Sequence, residues 1–338
     1  MKSLFRKGFI VLCSLWMLTG CGKDTQLIRQ TDMAMGTVVQ QSIYTNDVKD
    51  KITDDIIEAI EWQEQQILSR RLDTSSVYRL NETAGNTVAV KEELYDLLKR
   101  CVDISVSSGG KFDCTLGSVI ELWQIDKWAT LGDGEGYILP REDAIKDALQ
   151  ATGYEKLMLE DGQLTMPGGF VLDLGAVGKG YTLDVLVQLL KERETVTGAT
   201  ISLGGSVLTY GSKPDGTPWY VGVVNPHDSS KQLGVLSLRG QWCVSTSGDY
   251  ERYVEVDGSI YHHILDPDSG YPGESDVKSV TILSRNGFLS DALSTACFLL
   301  GSEKGMELAR QYEVEALFVT KQGELVMSDG MQAVFRTE

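Results

Sequence analysis

The sequence predicts an α+β protein with mixed, largely antiparallel sheets and packed helices, and three observations carry that expectation. Short runs rich in β-branched and aromatic residues recur in the second half between turn residues, and Asp257-Gly258 between two of them is a strong hairpin signal. Stripes of apolar residues three and four apart lie before, between and after these runs, so helices and hairpins alternate without the regular strand-helix repeat of a parallel sheet. An apolar segment, Phe170 to Leu174, gives way at glycines to an amphipathic one, Val177 to Leu190, which reads as strand, tight turn and helix.

The N-terminus is a separate problem. Lys2, Arg6 and Lys7 precede an apolar run, Phe9 to Leu18, too short to span a bilayer as a mature helix, and Leu18-Thr19-Gly20-Cys21 follows. Residues 1–20 read as a secretory signal, and the small residues before Cys21 are similar to a bacterial lipobox, in which that cysteine is acylated and becomes the new N-terminus. The alternative is an ordinary signal peptide cut nearby with Cys21 unmodified. Residues 21–30 are expected to be a polar tether and 31–338 one domain, held by lipid at the extracytoplasmic face of the cell membrane. A net charge of −17 over 338 residues argues against nucleic acid or anionic lipid as a partner, so any phosphate ligand must be met by local positive groups or a cation. Cys101, Cys114, Cys243 and Cys297 show no Cys-x-x-Cys spacing and are expected as buried free thiols.

Taken in order, Met33 to Val39 opens a strand-like stretch to Tyr44, and Ile52, Ile56, Ile57, Ile60, Ile67 and Leu68 follow a helical stripe. A polar loop, Ser69 to Asn86, leads to a second helix with Leu94, Leu97, Leu98, Cys101 and Val102 on one face, stopped by Ser107-Ser108-Gly109-Gly110. The stretch Asp126 to Tyr137, rich in Gly and Asp, reads as an exposed loop without the ligand spacing of a calcium site. Strands are expected at 199–203, 219–224, 235–238, 242–245, 250–256, 259–265 and 280–283. A helix carrying Leu289, Leu293, Ala296, Cys297 and Leu300 comes next, then a helix from Glu303 to Tyr312 and strands near 316–319 and 333–335.

Three constellations can carry chemistry. At Asp173-Leu174-Gly175-Ala176-Val177-Gly178-Lys179-Gly180-Tyr181 the backbone N–H groups of a helix start, the dipole and Lys179 favour an anion, and the glycines admit a phosphate. The spacing is neither a Walker A loop nor a dinucleotide Gly-x-Gly-x-x-Gly, and a turn that merely lets a helix pack on a strand accounts for it too. Asp291, Ser294 and Thr295 share one helical face, where one carboxylate with hydroxyl oxygens suits a hard cation such as Mg2+. On spacing alone, an Asp capping the first turn and answering the dipole is the simpler account. In His262-His263-Ile264-Leu265, alternation puts His263 and Leu265 on one face and His262 on the other, so one histidine faces a site as acid, base or phosphate ligand, or is structural.

Together these pieces resemble the ApbE family, the Mg2+-dependent FAD:protein FMN transferases. The matching runs, in the family's order, are Met35-Gly36-Thr37, Gly110 to Asp113, Asp173 to Tyr181, Leu203-Gly204-Gly205, Ser245 to Arg252, His263 to Gly270 and Asp291 to Thr295. The resemblance implies an ApbE-like fold over 31–338 and transfer of FMN from FAD to a Thr or Ser hydroxyl of an acceptor protein, with release of AMP. FAD pyrophosphatase activity and non-catalytic flavin binding are the alternatives. It further implies that Met35 packs on the flavin, that Lys111, Phe112, Asp113, Asp173 and Lys179 line the FAD site with His263 and Leu265 close by, and that Ala176 (through its carbonyl), Asp291, Ser294 and Thr295 hold Mg2+. Asp291 and His263 are the candidate bases, and the acceptor is expected to be an extracytoplasmic subunit of a flavin-dependent redox complex. The chain departs from the family where Ser206 replaces the usual Asn after Leu203-Gly204-Gly205, and where Arg70 and Arg71 stand near an aromatic that often contacts FAD. Flavin or adenine packing is expected to be altered there, and Arg71 is not counted among the site residues.

Overall fold

A computed structural model describes residues 25–47, 49–131 and 136–337. The expected signal peptide and Cys21 lie outside these residues. Among the described residues no helix is long and apolar enough to cross a membrane.

The fold is built on an eight-stranded sheet whose strands, in spatial order, are Gln26–Ala34, Thr37–Thr45, Val196–Leu203, Ser206–Gly211, Trp242–Gly248, Val277–Ser284, Glu315–Thr320 and Leu325–Met327. Every neighbouring pair is antiparallel. Both faces are covered, which is why the inner strands are buried almost throughout instead of alternating. On one face, the helices Gly178–Lys191 and Gly287–Gln311 pack on the sheet and on each other. On the other, a three-stranded sheet of Trp219–Val224, Gln232–Leu238 and Phe335–Thr337 places Trp219, Val221, Leu236 and Phe335 against Val244, Leu283 and Leu317. Period-two alternation does the sorting: Val244 points to the small sheet, while Cys243 and Ser245 point to the helices.

Several expectations are corrected. The sheet starts at Gln26, inside the stretch expected as tether, because that segment pairs along the full length of Thr37–Thr45. Phe170 to Leu174 is not a strand of a sheet; it is extended, and its one bridge, Val171 to Leu116, is parallel. Ser76–Glu82 within the expected polar loop is helical, since Val77 and Leu80 bury one short face. The stretch expected as an exposed loop from Asp126 to Tyr137 is ordered at both described ends: Ile125–Leu131 is a helix, and buried Tyr137 donates its hydroxyl to the Trp123 carbonyl at 2.6 Å, residues 132–135 lying outside the described residues. The strands expected at 250–256 and 259–265 shorten to Tyr253–Val256 and Ser259–His262, a two-stranded hairpin. Residues 329–334 form a helix, with the last strand beginning only at Phe335. The stripe from Ile52 ends in a π-helical turn, Gln63–Leu68, a form common beside functional sites. The late helix divides where expected, at Gly301 with φ +82° and ψ 177°, a conformation reserved for glycine. Among the described residues Cys101, Cys114, Cys243 and Cys297 are buried and free, as expected.

Candidate active site

The cleft is positioned by a contact between two helix starts. A Cβ on Gly180 would stand 2.1 Å from the Gly287 carbonyl oxygen and 2.5 Å from Asp291 Cβ, so only glycine permits the Gly178–Lys191 and Gly287–Gln311 helices to approach this closely. The late helix meets its orphan N–H groups without Asp291. Asn286 accepts from Leu289 N at 2.9 Å, and Asp184 accepts from Gly287 N and Phe288 N. Asp291 is therefore not a first-turn cap, and the simpler account of it fails.

Asp291 serves the opposite helix instead. Its Oδ2 accepts the Gly180 N–H at 2.8 Å, its Oδ1 accepts from Ser206 Oγ at 3.4 Å, and Lys179 Nζ lies 3.8 Å from Oδ1. Ser206, where the resemblance leads one to expect Asn, thus reaches Asp291, and Ser245 and Ser290 continue the buried hydroxyl row behind it. The expectation that the glycine-rich run aims free N–H groups at an anion is corrected for its glycines: Gly175 N donates to Asp173 Oδ1, Gly178 N to the Leu174 carbonyl and Gly180 N to Asp291, while among the described residues the Ala176 and Lys179 N–H groups meet no acceptor. The glycine donors are spent inside the protein, which leaves Lys179 as the run's main attraction for a phosphate.

A cavity of about 310 Å³ opens on this junction. Lys111, Phe112, Asp113, Asp173, Ala176, Lys179, His263, Leu265, Asp291 and Thr295 all line it, so four separated stretches of chain converge. Ser294 does not: its hydroxyl is buried one layer behind, donating to the Asp291 carbonyl at 2.8 Å and lying 2.8 Å from Ser247 Oγ. Among the described residues no hydrogen bond ends on the Ala176 carbonyl, and no group of three or more His, Cys, Asp or Glu side chains could hold a metal. A cation here would be met by one carboxylate and neutral oxygens, a donor set suited to a hard ion.

Met35 lines an adjoining cavity of about 160 Å³ with Glu64, Leu68 and Arg71. Met35 and Gly36, at φ +50° and +66°, make the two-residue turn between the first two strands, a conformation costly for methionine. The π-helical turn compensates by presenting Glu64, which accepts Met35 N–H at 2.8 Å.

The polar groups of the cleft are held by neighbours of distinct kinds. Lys111 hydrogen-bonds Asp266 and Asp268 at 2.8–2.9 Å; burial pulls its pKa down, but these two carboxylates outweigh burial and raise it. Asp113 is raised by burial, against hydrogen bonds from Thr115 and from the Tyr154 N–H. Asp173 receives Arg70, whose guanidinium also bonds Glu121. The histidines separate as alternation predicts, although the strand stops at His262. His262 packs edge-on against Phe298, whereas His263 faces the cavity. His263 Nδ1 lies 3.2 Å from the Arg252 carbonyl, so Nδ1 carries the proton and Nε2 keeps its lone pair; burial pushes the pKa down to about 4 despite Asp126.

Four further residues were not singled out by sequence reasoning: Glu64, Asp126, Glu251 and Arg252. Glu251 is exposed to the cleft, where the protein packed around it strips part of its solvent and pushes its carboxyl up to about 7, against the pull of Lys179 and Arg252 and with a push from Asp291. Asp126 is held below its ordinary range: burial works the other way, but Arg252, His263 and Arg71 prevail. Glu251 and Arg252 fall within a run shared with the family, the one signal that pointed to them.

A family model described as the ApbE family matches residues 35–318. The chain belongs to the ApbE family. An FAD:protein FMN transferase of Treponema pallidum is 33% identical over 335 residues, covering 92% of this chain and 90% of its own length. One from Klebsiella pneumoniae is 31% identical, covering 92% and 95%. The crystal structure of the ApbE protein from Thermotoga maritima superposes with a TM-score of 0.80 at 32% identity over 92% of this chain and all of that one. The apo flavinyl transferase ApbE of Pseudomonas stutzeri gives 0.79 at 28% identity over 92% of this chain and 97% of that one. The α+β architecture is thus the family's fold, and the chain is an enzyme of flavin transfer.

Proposed function

We propose that this protein transfers FMN from FAD to a Thr or Ser hydroxyl of an acceptor protein, releasing AMP, in a reaction that requires Mg2+. The observation that carries this reading is the meeting of Lys179, Asp291, Thr295 and the unbonded Ala176 carbonyl in one cleft bordered by two cavities, room for the two halves of a dinucleotide about a central diphosphate. Asp291, Thr295 and Ala176 would hold the ion, with Ser294 bracing the Asp291 backbone from the layer behind. Mg2+ bound there supplies charge stabilisation at the diphosphate.

The chain's own groups account for the remaining steps. Lys179 neutralises phosphate charge as the acceptor oxygen attacks the FMN-side phosphorus and the bond to the AMP oxygen breaks. The hydroxyl proton needs an acceptor. Both oxygens of Asp291 are engaged, whereas His263 is neutral at pH 7 and its Nε2 makes no hydrogen bond among the described residues, so His263 is the base this geometry favours and Asp291 the anchor of the cation. Anchored by lipid at Cys21, the enzyme would meet an extracytoplasmic subunit of a redox complex.

The test is to incubate the soluble mature chain with FAD, Mg2+ and a Thr-containing acceptor and to measure the acceptor's mass. An FMN increment is expected. Release of FMN and AMP with an unmodified acceptor would instead make the protein a pyrophosphatase, and FAD recovered intact would make it a carrier. Asp291→Ala is expected to fold and to lose about a thousandfold in rate, at ~1.4 kcal/mol per decade. Full turnover by that variant in excess EDTA would exclude the assignment.

A further inference from the structure

The Gly175, Gly178 and Gly180 N–H donors of the glycine-rich run are spent internally, which leaves phosphate recognition to draw largely on side chains. Five basic residues border the two cavities. Lys111 is clamped by Asp266 and Asp268, and Arg70, with a side chain only 9% exposed, by Asp173 and Glu121. Lys179 faces Asp291. The remaining two, Arg71 and Arg252, share a single carboxylate: Asp126 Oδ1 accepts from Arg252 Nη1 at 3.1 Å, and Arg71 Nη2 stands 3.6 Å from Asp126 Oδ2. Each guanidinium has five N–H donors, and this shared contact is the only side-chain pairing made by either among the described residues. Asp126 and Arg252 line both cavities together with Lys179, which puts the group where the cavities join. Glu251 faces the same space from the Arg252 side, and Glu64 from the Met35 side, where it is occupied by Met35 N–H.

We propose that Arg71 and Arg252 form, with Lys179, the seat for the dinucleotide's diphosphate, and that Asp126 is a resident anion which keeps the two guanidiniums facing the junction and is displaced when a phosphate enters. The proposal rests on the FAD-binding reading above. A carboxylate flanked by two arginines offers the same planar, charge-assisted hydrogen bonding that a phosphate oxygen pair accepts, so the exchange replaces one anion by another of higher charge without rebuilding the site. It also gives Arg71, which stands near the position where the family resemblance leads one to expect an aromatic, a task in ligand binding.

The experiment is a flavin-fluorescence titration of the whole mature protein with FAD and with riboflavin, which lacks the phosphates, in EDTA and in Mg2+, with thermal melting as a check on folding. Arg252→Gln and Arg71→Gln are each expected to weaken FAD binding about tenfold and to leave riboflavin binding unchanged. Asp126→Asn is expected to bind FAD as tightly as the parent or several-fold more tightly, because a competing charge is gone while the side-chain shape is kept. If the trio were merely structural, Asp126→Asn would weaken FAD binding along with the arginine variants. That result, or an equal loss of riboflavin affinity in the arginine variants, overturns the proposal. A parent protein that binds no FAD would instead sink the function on which it rests.

Discussion

The inner wall of the cleft and its rim handle charge in opposite ways. At the wall, Asp291 is 4% exposed and is fastened by Gly180 N–H, Ser206 and Lys179, on a helix held against its neighbour by a glycine contact that admits no Cβ. At the rim, Arg71 is 60% exposed in its side chain and shares Asp126 with Arg252. Several converging contacts in a low-dielectric setting fix a group in one place, whereas single contacts open to water can be exchanged. The wall is built to keep its geometry through a reaction and the rim to trade partners, which predicts large losses from wall substitutions and modest, conditional ones at the rim.

The sharpest way to break this contrast is Gly180→Ala. The new methyl would collide with the Gly287 backbone, and we expect a loss of about 3 kcal/mol in stability, with activity falling in step. Urea unfolding with an unchanged midpoint would show that the helices do not need the contact. Lys179→Met is expected to lower transfer about a hundredfold while leaving the melting temperature within a few degrees, since among the described residues Lys179 makes one 3.8 Å ion pair and no side-chain hydrogen bond. Thr295→Ala is smaller again: about a tenfold rise in the Mg2+ concentration for half-maximal activity, with little change at saturating Mg2+.

The mildest effect belongs to Glu251 and depends on pH. Its folded-state pKa of about 7 lies above the ordinary 4.5, so between these values the folded protein keeps a proton that the unfolded chain has released. The stability this group contributes is present at pH 4.5 and below and is lost as pH rises through 7. Glu251→Gln, which cannot ionise, should therefore melt higher than the parent at about pH 8 in EDTA and at about the same temperature near pH 4.5. A variant that gains at acid pH instead would place the carboxyl in a different environment.

Much of the site was legible because local chemistry writes it into consecutive residues. The spacing of Asp291 and Thr295 puts both on one helical face, and alternation separates His263 from His262; the tertiary structure uses both patterns. Glu64 and Asp126 were not legible, since their roles arise from partners far away in the chain: Met35 N–H for Glu64, Arg71 and Arg252 for Asp126. A glycine- and aspartate-rich stretch looks the same to a sequence reader whether its first helical turn faces water or a cleft.

By itself, the sequence determined the α+β class, the late helix with its break at Gly301, the hairpin at Asp257-Gly258 and the family's order of motifs, because propensity, turn chemistry and periodicity act over a few residues. Only the tertiary structure decided where the backbone N–H groups of the glycine-rich run go. Whether a donor meets a ligand or a carboxylate depends on what a distant helix brings within 3 Å, and here that helix brings Asp291 to Gly180 at 2.8 Å.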